Sequence, residues 1–277
     1  MDGGRDALMT SFFSDNKIAE TSSKGNQEKC FAKGRWYKLD QFGYEGLSEV
    51  LVSSLLEFST IEHDSPFSFV RYKSEKMNVH GIERAGCSSK NFLKKDQAIC
   101  TLSHLFRNAG MPLSEALKNI PSDRQRLRFV AEKTAELTGL SMFPQYLTLL
   151  FEIDALFLND DRHFNNIAVM EKNGQFDYCP IFDNGAALLS NTMDNPLDID
   201  PRALIKNIKA RPFVTTFNRQ VIAATSLYGK QLNIKKFSEK EIREILSIPL
   251  SFYASRDRSY IADRVVKTIL TRQRAKS

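Results

Sequence analysis

The spacing of apolar positions changes along the chain, and it divides the sequence into an early strand-rich part and a later helical part. Residues 21–40 hold two short apolar pieces around polar, glycine-bearing turns, which predicts hairpins. From 46 to 61 the period lengthens. Leu47, Val50, Leu51, Leu55 and Phe58 recur at three and four residues, which is one face of an amphipathic helix. Residues 67–72 alternate like a strand, and 73–95 read as polar and irregular. Residues 1–20 show no period and are taken as a lead-in that pairs as an edge strand.

Helices follow. Ser122 and Gln125 make a capping-box pattern before a helix that Gly139 stops. A second helix carries Tyr146, Leu149, Leu150, Ile153, Leu156 and Phe157 on one stripe and ends at Asn159. Two apolar runs, 167–170 and 176–181, flank Lys172-Asn173-Gly174-Gln175. Asn-Gly between strands signals a tight hairpin, because both turn positions need positive φ. From about Pro201 the pattern is helical, with a second capping box at Ser238 and Glu241. The expectation is an α+β chain with a small β-rich N-lobe over about 1–72 and a mostly helical C-lobe over about 96–277, the hairpin embedded in it.

Composition adds limits. The 277 residues are 42% hydrophobic, enough for a large core. No apolar run approaches the roughly 18 residues of a membrane helix. The polar start Met1-Asp2-Gly3-Gly4-Arg5-Asp6 is unlike a secretory signal. Cys30, Cys87, Cys100 and Cys179 form no Cys-x-x-Cys pair, so neither a zinc site nor a disulfide framework is expected. These features fit a cytoplasmic protein with reduced thiols; translocation by an unconventional route is the alternative. Most of the +6 net charge lies after residue 255, where seven basic residues meet two acids. That reads as the solvated face of a terminal helix, so no nucleic-acid partner is expected.

The candidate chemistry lies at the two outer ends of the 167–181 hairpin. Asp161 and Asn166 precede it and Asp183 follows it. A hairpin sets its outer ends side by side, so two carboxylates and an amide oxygen converge. Mg²⁺ takes hard oxygen ligands and commonly only one or two carboxylates, leaving room for phosphate oxygens. A further carboxylate can accept the proton of an attacking hydroxyl. Asp161 is therefore the candidate base or orienting group, and Asn166 and Asp183 the candidate metal ligands.

This order of catalytic loop, hairpin and Asp-x-Gly is that of the protein-kinase signature set. His163 follows Asp161 by two residues instead of preceding it. The string Asp-x-His-x-x-Asn resembles the catalytic loops of HipA-like kinases and of phosphoinositide kinases. Ser22-Ser23-Lys24-Gly25-Asn26-Gln27-Glu28-Lys29 resembles the HipA-like phosphate loop and favours the first family. The chain is thus similar to HipA-like serine/threonine protein kinases, and, beginning almost at that loop, to their short standalone, cell-translocating type.

The resemblance implies a bilobal protein-kinase-like fold, ATP and Mg²⁺ as cofactors, and a protein substrate of unknown identity; an antitoxin partner is left open. It implies that Lys24, Gly25, Asn26, Gln27 and Lys29 face the phosphates. Lys38 would contact the α- and β-phosphates, with Lys29 and Lys33 as rivals. Glu49 would pair with Lys38, with Glu45 as rival. Strand 67–72 would serve as the hinge, Val70 and Tyr72 offering backbone groups to adenine. His163 would orient the loop or touch nucleotide, and Ser22 and Ser23 are autophosphorylation candidates. A lipid or small-molecule kinase and a non-catalytic pseudokinase are the competing readings.

Overall fold

The computed structural model describes residues 28–275. The phosphate-loop candidates Lys24, Gly25, Asn26 and Gln27, the serines Ser22 and Ser23, and the lead-in at 1–20 lie outside the described residues.

The first lobe is an antiparallel sheet of β1 (Lys29–Ala32), β2 (Arg35–Leu39), β3 (Tyr72–Val79) and β4 (Ile82–Lys90), in the order β1-β2-β4-β3. Two-residue turns close its hairpins. Lys33-Gly34 and His80-Gly81 both place each turn residue at positive φ, the geometry that matches the twist of the flanking strands. The β3–β4 hairpin occupies the region 73–95 that the pattern reads as irregular. Its solvated face supplies the polar residues: Lys73, Lys76 and Glu83 are exposed beside buried Met77 and Val79. The sheet therefore runs to Lys90, not to residue 72. Residues 91–97 join the two lobes.

Helix α1 (Glu45–Leu56) packs on this sheet, and the short α2 (Ile61–Asp64) follows. α1 is buried on nearly every side, because the second lobe covers the face that the sheet leaves open. Close approach requires glycine here. A Cβ on Gly86 would lie 2.2 Å from the Lys38 carbonyl oxygen, and one on Gly46 would lie 2.6 Å from the Gly86 backbone.

The second lobe holds α3 (Leu102–Asn108), α4 (Leu113–Ala116), α5 (Asp123–Thr138), α6 (Phe143–Phe157), α7 (Pro201–Ile205), α8 (Phe217–Tyr228), α9 (Glu239–Leu250) and α10 (Ser255–Ala275). Ser122 caps α5 by accepting from the Gln125 N–H, and Gly139 ends it in the left-handed conformation. Ser238 and Glu241 form a reciprocal capping box on α9. α6 is the axis of the core, with all but one of its residues buried. Each large apolar side chain buried there contributes about 1.5–3 kcal/mol. A second sheet, β5 (Ala98–Thr101), β6 (Ala168–Lys172) and β7 (Gln175–Tyr178), carries the expected Asn173-Gly174 turn and one strand, β5, that the apolar pattern did not reveal.

The terminal helix α10 is more than a solvated basic face. Arg264 and Arg272 are buried. Arg264 donates to the carbonyls of Asn195, Pro196 and Ile199, and Arg272 to the carbonyl of Ala155. Their stems and heads fasten α10 to the segment after Asp183 and to α6. No helix among the described residues is long and apolar enough to cross a membrane. All four cysteines are free thiols.

Candidate active site between the two lobes

The site forms where β2, α1, the loop after α6 and the end of the β6–β7 hairpin meet. Residues 67–72 do not join the first sheet ahead of Tyr72. They run extended beside the hairpin's exit: Ile181 donates to the Ser68 carbonyl (2.8 Å), and Val70 donates to the Ile181 carbonyl (2.9 Å). This parallel bridge draws Phe182 and Asp183 against the first lobe. It also occupies the Val70 N–H, one of the backbone groups expected to be offered to adenine. The Tyr72 N–H donates to Ser53 Oγ (3.3 Å). The hinge expectation at 67–72 thus gives way to a clasp between lobes, and the covalent link between them is 91–97.

Lys38 is the centre of the cluster. Its Nζ donates to Glu49 Oε1 and to Asp183 Oδ1, the latter at 2.8 Å. Glu49 is fully buried and Lys38 is 7% exposed. The other Glu49 oxygen accepts from the Asn184 N–H (2.8 Å). One carboxylate therefore joins the strand lysine to the turn after Asp183. Glu45 does something else: it accepts from the N–H groups of Phe42 (2.8 Å) and Gly43 (3.1 Å) at the start of α1. Of the rival lysines, Lys29 stands opposite Lys38 in the β1–β2 ladder, and Lys33 sits in the exposed turn. The Lys38 ammonium lies 5.3 Å from the Tyr72 ring centroid.

Burial alone would lower the Lys38 pKa, but Asp183 and Glu49 outweigh it and hold the ammonium charged. Burial alone would likewise raise Asp183, yet Lys38 and then Lys29 keep its carboxyl well below the usual carboxylate range. Asp183 also sits at φ 63°, a left-handed conformation that is uncommon outside glycine.

The loop after α6 is pinned from beneath. Arg162 is 1% exposed. Its Nε and Nη2 contact both oxygens of the equally buried Asp154 at 3.0–3.2 Å. Its remaining donors go to the carbonyls of Asn166 (3.1 Å) and Phe182 (2.8 Å) and to Asn184 Oδ1 (2.9 Å). Burial works against the Arg162 charge, and Asp154 outweighs it. One guanidinium thus ties together α6, the loop at 159–166 and the Asp183 turn. Asn159 adds a bond from its amide to the Asp183 carbonyl (3.1 Å). Arg162, Asn159 and Asn184 lie within the informative strings, yet none was a candidate. Asp154 could have been found from its sequence signal: an acid on the apolar stripe of α6.

Above this frame sit Asp161, Asn166 and His163, of which Asp161 is the most exposed. Asp161 is half-exposed, with His163 Nε2 at 3.4 Å from its Oδ1. Burial raises the Asp161 pKa and His163 pulls against it. Asn166 donates its amide to the Asp161 carbonyl (2.9 Å), which leaves Asn166 Oδ1 as a free oxygen donor. His163 Nδ1 is buried with no hydrogen-bond partner. Among the described residues, no group of three or more His, Cys, Asp or Glu side chains could cage a metal ion. Asn166 Oδ1 and the Asp183 carboxylate nonetheless suit a hard divalent cation that takes most of its ligands from phosphate and water.

The chain has the fold of a kinase. It superposes on CtkA, described as a proinflammatory kinase of Helicobacter pylori, with a TM-score of 0.57. That alignment covers 92% of this chain and 94% of the other at 13% identity, so the likeness concerns the fold. HipA of the Shewanella oneidensis MR-1 toxin–antitoxin system, solved with HipB and operator DNA, aligns at a TM-score of 0.46 and 12% identity over 91% of this chain and 64% of that one. No protein-family model and no curated protein sequence matches the chain.

Proposed function

We propose that this chain is an ATP- and Mg²⁺-dependent phosphotransferase of the HipA-like kind, acting on serine or threonine hydroxyls of a protein. The observation that carries the reading is the pairing of Lys38 with Glu49 of its own lobe and with Asp183 across the interface of the lobes. Phosphoryl transfer demands positioning and charge neutralisation more than covalent chemistry, and this cluster supplies both.

In this reading Lys38 and Lys29, with the 22–27 segment, hold the nucleotide phosphates. Asn166 Oδ1 and the Asp183 carboxylate hold the cation, which when bound neutralises charge developing on the phosphate oxygens. Asp161 orients the acceptor hydroxyl and takes its proton. His163, partly exposed beside Asp161, orients that carboxylate or touches nucleotide. Ser22 and Ser23 are the sites where self-modification would be sought.

The test is phosphate transfer by purified protein with Mg²⁺ and ATP, followed by ADP release and intact mass, for wild type and Asp183→Asn. Turnover in wild type and its loss in the variant is expected. Wild-type turnover retained in Asp183→Asn would refute the cation assignment. Phosphate recovered on lipid and never on protein would favour the phosphoinositide-kinase-like alternative.

A further inference from the structure

A tight loop stands beside the catalytic loop without a part in the chemistry proposed so far. It spans 210–215. Ala210 and Thr215 bridge it closed, with Ala210 donating to the Thr215 carbonyl at 2.7 Å and Thr215 returning a bond at 3.3 Å. The buried Gln220 fixes its crown by donating to the Arg211 carbonyl (2.8 Å). Phe213 anchors it, meeting Phe164 edge-on at 6.0 Å and Phe151 of α6 at 6.2 Å. Phe164 is three residues from Asp161, so the loop and the catalytic loop share one aromatic contact.

What the loop presents outward is Arg211 and Val214. Val214 is 57% exposed and held at φ 56°. For a β-branched residue that conformation is an outlier, and such strain concentrates at binding sites. Arg211 is exposed and has no carboxylate within 4.0 Å among the described residues, although its charge reaches both Asp160 and Asp161. Lys206 and Lys209, exposed and likewise outside any ion pair of that kind, precede it. A rigid, strained loop thus offers an unpaired cation beside the carboxylate that would receive the acceptor hydroxyl.

We infer that Arg211 selects the acceptor: the phosphorylated serine or threonine lies in a peptide segment carrying an anionic side chain, and Arg211 pairs with that anion. This rests on the protein-kinase reading above. A guanidinium pairs with carboxylate or phosphate through the same planar fork, so aspartate, glutamate and phosphoserine are the eligible neighbours. Val214 supplies apolar contact next to them.

The test is an oriented peptide array with a central serine or threonine, labelled by radioactive ATP with Mg²⁺. Binding of a fluorescent ATP analogue is measured in parallel. Wild type should label peptides with Asp, Glu or phosphoserine beside the acceptor above their Ala counterparts. The phosphoserine and carboxylate arms tell which anion is preferred. Arg211→Ala should lower kcat/KM for the acidic peptides about fivefold, through KM, as expected for an exposed charge pair. Arg211→Glu should turn selection toward Lys and Arg, and both variants should bind the nucleotide analogue as wild type does. The same selection in wild type and Arg211→Glu, or no acidic selection in wild type, overturns the inference. An array that stays unlabelled while nucleotide binds also overturns it and leaves the nucleotide site standing. Failure of wild type to bind nucleotide removes the kinase reading itself.

Discussion

The two sides of the cleft are built on opposite principles. On one side, Lys38, Glu49, Asp183, Arg162 and Asp154 are buried or nearly so, and the two cations among them hold the three carboxylates through short bonds. On the other, which the proposed function gives to the acceptor, the side chains of Asp161 and Arg211 are exposed, His163 is partly so, and their ion-pair contacts are long or absent. The first side has one low-energy arrangement, because breaking any pair strands a buried charge. The second keeps its groups available to a partner. In the proposed phosphotransfer reading, the first side holds the nucleotide end fixed and the second leaves the acceptor end receptive.

The largest test of this contrast is Asp183→Asn. Loss of the carboxylate that pairs with Lys38 should reduce turnover by roughly 100-fold or more, read as ADP release, while the fold persists by circular dichroism. Next is Arg162→Ala. It leaves Asp154 buried without its cation and should cost about 3–5 kcal/mol, read by denaturant unfolding. A small loss there would mean that the frame under the 159–166 loop is less dependent on one guanidinium than its four partner residues suggest.

Smaller in effect, but sharper, is the pair Glu49→Gln and Glu45→Gln. The first should lower turnover about tenfold by weakening the hold on Lys38. The second should cost about 0.5–2 kcal/mol of stability through the start of α1, with turnover close to wild type. Equal effects on turnover would dissolve the distinction between them.

The smallest concerns pH. Burial, opposed by donors from Tyr253 (2.5 Å) and Gly46 (2.5 Å), pushes the Asp40 pKa up to about 7. Unfolded aspartate titrates near pH 4, so the folded state holds the extra proton between these values. The resulting stability is full below about pH 4 and lost as pH rises through about 7. Melting temperature should therefore fall between pH 5 and pH 8, and Asp40→Asn should flatten that slope. An unchanged slope would assign the titration elsewhere.

Much of the frame was legible along the chain. Asn173-Gly174 specified its turn because only certain residues accept positive φ there, and the same chemistry at His80-Gly81 went unread because its flanking strands are largely polar. Their apolar face is supplied by few positions, Met77 and Val79 among them, so no alternation was visible. Ser122, Gly139 and the Ser238–Glu241 box set helix ends for local reasons. The period of 46–61 gave α1, and the order of Asp161, Asn166 and Asp183 around a hairpin gave their convergence.

What the sequence by itself determined, then, is whatever depends on neighbours a few residues away: turns, caps, amphipathic faces and the succession of chemical groups. Tertiary structure alone decided the pairings across long separations. Local contacts explain Glu45, which opens α1 and caps Phe42 and Gly43, but nothing local marks Glu49 as the partner of Lys38. The distinction comes from Lys38 and Asn184, which reach Glu49 only after the sheet, α1 and the hairpin exit have packed together. Residues 67–72 likewise read as a strand because they are extended, but which chain they bond to was settled by Ile181, more than a hundred residues away. Arg264 and Arg272 looked solvated because charge usually is; the packing of α10 turned them inward to carbonyls that no pattern along the chain could place.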